Sequence, residues 1–203
     1  MRRHCPGFRC HHRSKAGDEL LIFTIGHGAR DISTFLDLLD GAGVRRLVDV
    51  RTAPGSRTHP QFGQAALEAA LERRGLAYEW GGQELGGFRR AGPDSRHVAL
   101  RSGGFRGYAD HMETDGFRRA LHDLIRTSVA VSTSVMCAES LWWRCHRRLL
   151  SDTLVAHGCR VLHIMDRGKL DAHRLTGGAR IVGDSEVVYD VPEDDSGQRR
   201  LVD

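Results

Sequence analysis

Residues 129–166 constrain the fold more than any other part of the chain. They begin with alternating β-branched residues that end at Cys137, continue through a loop, and then show leucines at helical spacing until Gly158. A second short apolar run follows at 161–164. Strand, loop, helix and strand in this order predict a βαβ unit of a parallel sheet, and such sheets bind ligands at the carboxyl ends of their strands.

The rest of the chain shows the same alternation of strands and helices. Short apolar runs and helical spacing predict, in chain order, a strand at 20–25, a helix from Asp31 or Ser33 to Gly41 or Gly43, a strand at 44–50, a helix at 65–74, a strand at 76–80 and a helix at 108–126. The glycine- and arginine-rich run 81–104 predicts a functional or mobile loop. We therefore expect a single three-layer α/β domain with a mostly parallel sheet of about five strands, flanked by helices.

Length and charge suggest how the chain is divided. Its 203 residues suffice for one buried core. The net charge is +4, but residues 183–203 hold seven acids and two arginines, which leaves +9 on residues 1–182. We expect a disordered basic leader at 1–18, the α/β domain at 19–175, and an acidic tail at 176–203 that could include a short edge strand at 187–191.

The composition also bears on compartment and partners. No apolar run approaches the ~20 residues of a membrane helix, and the basic N-terminus lacks the apolar core of a secretory signal. We therefore expect a cytoplasmic protein with no membrane partner. Cys5 and Cys10 lie among histidines in the leader, but no second ligand pair at zinc-finger spacing follows them. The basic body could attract an anionic small molecule, a nucleotide or nucleic acid.

Polar side chains follow the predicted strands at the points where they end. His27 follows the first strand, Asp49 and Arg51 end the second, and Cys137 and Glu139 follow the strand of the βαβ unit. Because the carboxyl ends of parallel strands meet at one edge, we expect these five side chains to line one cleft.

The predicted helix after this strand begins beside a second thiol. Cys145 precedes His146 and Arg147 at a helix start, where free N–H groups, the helix dipole and arginines favour a thiolate. One reading makes Cys137 the catalytic nucleophile, Cys145 its resolving or ligand partner, and His146 or Glu139 the acid or base. Two alternatives stay open: the thiols pack as small apolar side chains, or they bind zinc together with His146 and Glu139. We expect no metal, and the sequence identifies no cofactor.

Several further residues are candidates for ligand binding. Arg51, Ser56, Arg57 and Arg147 could hold a phosphate or carboxylate, and Trp142 with its neighbour could stack on a base or pack over the sheet edge. The sequence favours an enzyme with a thiol-containing, Arg-lined pocket, possessing transferase or hydrolase activity, that acts on an anionic small molecule or nucleotide. The alternatives are a nucleic-acid-binding accessory protein and a structural domain without catalysis.

Seven segments together resemble the DUF488 family, a domain of unknown function. They are TIGH at 24–27, LVDVR at 47–51, PGSR at 54–57 followed by HPQF, LGG at 85–87, YADHMETDGF at 108–117, MCAE at 136–139 and CHR at 145–147. The family usually has a proline where Trp142 stands here. The resemblance implies an α/β domain over most of the chain and no established reaction. A weaker similarity to rhodanese and Cys-phosphatase domains concerns layout alone, since Trp143 stands where a phosphatase has arginine.

Overall fold

The computed structural model describes residues 19–55 and 57–190, apart from the side chain of Arg167. The expected leader at 1–18, the end of the expected tail and the candidate Ser56 lie outside these residues. In chain order the elements are β1 (Leu21–Gly26), α1 (Ile32–Gly41), β2 (Arg46–Asp49), α2 (Gln64–Glu72), β3 (Ala77–Trp80), α3 (Gly82–Leu85), α4 (Gly103–Met112), α5 (Asp115–Ser128), β4 (Thr133–Cys137), α6 (Arg147–Ala156), β5 (Arg160–Ile164), β6 (Leu170–Ala172), β7 (Ala179–Val182) and β8 (Glu186–Tyr189).

The main sheet has six strands in the order β3-β2-β4-β1-β5-β6. Its first five strands are parallel, and β6 pairs antiparallel with β5 at one edge. This arrangement confirms the predicted mostly parallel α/β domain. The sixth strand is the short β6, which carries only three residues and no run of apolar positions.

Alternation along the strands sends side chains to two faces of the sheet. Val135 and Cys137 of β4 pack with residues of α3, α4, α5 and α6, and we call this side the α6 face. Met136, between them, packs with residues of α1 and α2 on the opposite side. The thiol at the end of β4 is thereby directed toward the start of α6.

The structure differs from the prediction at one helix, 108–126, and at the strand that precedes Cys137. The predicted helix 108–126 is two helices, because Thr114 breaks it and caps α5 by accepting a hydrogen bond from the N–H of Phe117 at 3.3 Å. The β-branched run that begins at Val129 is also shorter than predicted as a strand. Val129 ends α5 and is 73% exposed, and β4 starts only at Thr133.

The strand predicted at 187–191 is present as β8, and it pairs with β7 rather than with the main sheet. This hairpin contacts α6, and Tyr189 is fully buried there, with its hydroxyl donating to Asp152 at 2.8 Å. The expected boundary at residue 175 falls between β6 and β7.

A chain of buried polar side chains runs through the α6 face. His163 on β5 contacts Thr24 at 2.7 Å and His173 at 3.0 Å, and His173 contacts Asp152 at 2.8 Å. Burial, together with the nearby His173 and Arg147, lowers the pKa of His163 to about 2. The imidazole of His163 is therefore neutral in the folded protein at all ordinary pH values.

Acid is expected to destabilise the protein through His163. Below its ordinary pKa of about 6.5 the unfolded chain takes up a proton at this residue and the folded chain does not, so stability falls with pH by about 1.4 kcal/mol per unit. Urea unfolding from pH 6.5 to 5 should show a loss of about 1.6 kcal/mol from this group, because half of the unfolded-state imidazole is already protonated at pH 6.5. His163→Asn should have a shallower pH dependence by that amount; parallel curves for the two proteins would contradict the prediction.

Candidate functional site

A cleft of about 990 Å³ opens at the carboxyl ends of the parallel strands. Of the five strand-end residues expected there, four line it, namely His27, Arg51, Cys137 and Glu139. The fifth, Asp49, is fully buried and lies behind Arg51. Cys145 and His146 complete the wall on the α6 face.

Two thiols and one imidazole meet at this wall. The Nδ1 atom of His146 lies 3.6 Å from the Sγ atom of Cys145 and 3.8 Å from that of Cys137. All three atoms lie within 4.8 Å of one another, and we call this group the thiol cluster. Cys145 is 5% exposed and Cys137 is 9% exposed, so each sulfur is largely shielded from water and still borders the cleft.

The contact between the two sulfurs shifts their pKa values in opposite directions. A hydrogen bond from the Cys137 thiol lowers the pKa of Cys145 well below its ordinary value, and His146 and Arg147 lower it further. The same contact, together with burial, raises the pKa of Cys137 well above its ordinary value. Of the two thiols, Cys145 therefore loses its proton more readily.

The imidazole of His146 is held in place from two sides. The ring of Tyr108 meets it edge-on at 5.0 Å between centroids. On another side lies Gly87, where a Cβ atom would stand only 2.4 Å from Nδ1. Glycine at position 87 thus allows the loop to approach the imidazole while Nδ1 faces the sulfurs.

Arg147 does not line the cleft, contrary to its expected role as an anion binder. Its side chain is 1% exposed and donates to the hydroxyl of Thr24 at 3.2 Å and to the carbonyl oxygens of Glu139 and Ser140. The side chain turns inward because these carbonyl oxygens accept hydrogen bonds from its guanidinium. Arg147 therefore fixes the loop after β4 and adds positive charge near the thiol cluster.

Arg51 reaches the cleft with its orientation set by Asp49. Its Nε atom donates to both carboxylate oxygens of Asp49, at 2.9 and 3.1 Å, and the hydroxyl of Tyr78 donates to the same carboxylate at 3.0 Å. Nη1 of Arg51 lies 3.4 Å from Nε2 of His27. Burial lowers the pKa of His27 to about 4, so this imidazole is neutral and Arg51 carries the positive charge here.

The remaining candidates differ in position. The carboxylate of Glu139 accepts a hydrogen bond from the N–H of Leu141 at 3.1 Å. Arg57 is exposed and is not among the lining residues, although its neighbours Gly55 and Thr58 are. Arg144 does line the cleft; its position at the predicted helix start was a sequence signal for this.

Trp142 lies outside the cleft lining and packs over the edge of the sheet. Its ring stacks on His163, with 4.1 Å between centroids and an interplanar angle of 10°, and its Nε1 donates to Asp171 at 3.0 Å. Of the two roles expected for Trp142, base stacking and packing over the sheet edge, packing fits this position. The nucleic-acid-binding hypothesis therefore loses one of its two stacking residues.

Fold and site define a parallel α/β domain with a thiol-containing cleft at its strand ends. The family model of DUF488, a domain of unknown function, matches residues 31–154, and the chain belongs to this family. No curated protein and no solved structure matches the chain, and the similarity to rhodanese and Cys-phosphatase domains is not confirmed. Among the described residues, no helix has the length and apolar character needed to cross a membrane.

Proposed function

We propose that this protein is an enzyme that acts on an anionic small molecule or nucleotide, with Cys145 as the nucleophile. The observation that carries the proposal is the contact of Cys145 Sγ with Nδ1 of His146 at 3.6 Å, at the wall of a cleft that Arg51 and Arg144 also line. The sequence favours Cys137 for this role. The contacts favour Cys145, because His146 is nearer to it and it immediately precedes His146 and α6.

The chemistry is that of a covalent transferase or hydrolase. The thiolate of Cys145 forms a bond to an electrophilic carbon or phosphorus atom, and the bond to the leaving group breaks. The leaving group departs with its electron pair and takes a proton from an acid at the cleft, for which His146 and Glu139 are the candidates. Water or a second acceptor then attacks the atom bound to sulfur and gives its proton to the group that served as the acid, and the sulfur leaves as the thiolate.

The arginines of the cleft account for the preference for an anion. Arg51 lines the cleft with its guanidinium held by Asp49, and Arg144 is exposed at its rim. A guanidinium donates paired hydrogen bonds to phosphate or carboxylate oxygens. A phosphate or carboxylate bound between these residues would place a neighbouring electrophilic atom near the thiol cluster.

An anionic ligand is expected to protect Cys145 from alkylation. ADP and pyrophosphate should slow the reaction of Cys145 with iodoacetamide, measured by mass spectrometry of peptides. Arg144→Gln should raise the ADP concentration for half-protection about ten-fold, the worth of one charge-assisted hydrogen bond.

The matched control is Arg126→Gln, which removes an arginine that is 73% exposed on α5 and does not line the cleft. Protection in this variant should equal that in the parent protein. If neither anion slowed alkylation, or if both variants lost protection equally, the proposal of an anionic substrate would be abandoned.

A further inference from the structure

The thiol cluster has the spacing of a metal-binding site. In tetrahedral zinc sites the Zn–S bond is about 2.3 Å and the Zn–N bond about 2.0–2.1 Å, which puts sulfur and nitrogen ligands about 3.6 Å apart. The two sulfur-to-nitrogen distances in the cluster are 3.6 and 3.8 Å. The two sulfurs lie within 4.8 Å of each other, and tetrahedral zinc needs them about 3.8 Å apart, so one ion could reach all three atoms if the sulfurs approach by at most about 1 Å.

We propose that Cys137, Cys145 and His146 bind one zinc ion through two thiolates and the Nδ1 atom, with the fourth coordination position open to the cleft. Thiolate and imidazole ligands select zinc over the oxygen-preferring Mg²⁺ and Ca²⁺. Three protein ligands with one open position characterise zinc sites that act on a substrate or water, whereas structural sites are closed by four.

The three ligands are held by separate parts of the fold. Cys137 is fixed at the end of β4, Cys145 immediately precedes the α6 start, and Gly87 and Tyr108 hold the ring of His146. A site built on a strand end and a helix start loses little conformational freedom when an ion binds. Among the described residues this is the one group of three such side chains whose ligand atoms all lie within 4.8 Å of one another.

The zinc-bound form and the form with a free Cys145 thiolate are alternative states of one site. With an ion bound, both sulfurs are ligands and Cys145 cannot attack a substrate, so zinc masks the thiolate. A bound ion would itself supply Lewis-acid activation of a water in the open position. The inference uses only the positions of the three ligand atoms and does not require the proposed nucleophilic reaction.

The test loads the metal-free full-length chain with Zn²⁺ or Co²⁺ and removes unbound ion. Cys5 and Cys10 are replaced by serine in every protein, because the N-terminal segment also holds thiols and histidines. We expect about one retained ion per chain and a thiolate-to-cobalt charge-transfer absorption band. Cys145→Ser and Cys137→Ser should lose both signals. The control is Cys159→Ser, which removes a buried thiol outside the cluster and should keep both signals.

A second measurement covers the case in which a cluster variant does not fold. In the Cys5→Ser/Cys10→Ser protein with its cluster intact, Zn²⁺ should slow alkylation of Cys137 and Cys145 and leave Cys159 unaffected. Absence of retained metal and of protection overturns the zinc site, and the nucleophile proposal then stands or falls on alkylation of the metal-free protein. If zinc is retained but Cys145 is alkylated slowly in the metal-free protein, the zinc site is supported and the proposal that Cys145 is a nucleophile is refuted.

Discussion

Replacing Asp49 by alanine is expected to lower the free energy of unfolding by about 3–5 kcal/mol, the cost of leaving a buried charge without its partner. Asp49 is fully buried, and Arg51, which it pairs with, is 5% exposed. The substitution removes the acceptor of the Arg51 guanidinium and of the Tyr78 hydroxyl at once. Urea unfolding followed by circular dichroism measures the loss.

A double variant separates the ion pair from simple loss of packing. Asp49→Ala/Arg51→Met should be more stable than Asp49→Ala, because it no longer holds an unpaired guanidinium. The control is Asp123→Ala, which breaks a pair whose partners are 69% and 73% exposed and should change stability by less than about 1 kcal/mol. If the double variant were less stable than Asp49→Ala, the unpaired guanidinium of Arg51 would not be the cause of the stability loss in Asp49→Ala.

Cys145 is expected to react with iodoacetamide about 100-fold faster than Cys159 near neutral pH, because the reactive species is the thiolate. The two residues are similarly buried, with Cys145 5% and Cys159 3% exposed, but of the two only Cys145 borders the cleft. Their surroundings differ: Cys137 and His146 lower the pKa of Cys145, whereas burial raises that of Cys159 to about 11. The rate difference therefore reports charge and access from the cleft together, whereas the pH dependence of each rate reports the thiolate alone.

The sequence was sufficient to predict most of the sheet because four of its strands are buried on both faces. The apolar runs that became β1, β2, β4 and β5 need no partner residue to be recognised, and their order with the helices implies parallel pairing. The division at Thr114 was missed since Met112 and Phe117 both contribute to the core and continue the apolar pattern across it. The strand β6 was missed because it has no buried residue.

Only part of the candidate site could be predicted from the sequence. Topology alone brings His27, Arg51 and Cys137 to one edge. Topology does not give the direction of side chains in the loop after β4 or at the start of α6, because these directions depend on partners distant in the sequence. Arg147 turns inward to Thr24, 123 residues away, and Trp142 stacks on a histidine of β5 that no local pattern connects with it.

The most direct test of a reactive centre at the thiol cluster is a time course of iodoacetamide labelling on the metal-free protein, read by mass spectrometry for each cysteine peptide. We expect Cys145 to be labelled first and Cys137 to follow more slowly, with Cys159 labelled about 100-fold more slowly than Cys145. Cys145→Ser should abolish the fast phase, and Cys159→Ser should leave it unchanged. Equal and slow labelling of all three thiols in the folded protein would contradict a reactive centre at the thiol cluster and leave Cys137 and Cys145 as packing residues.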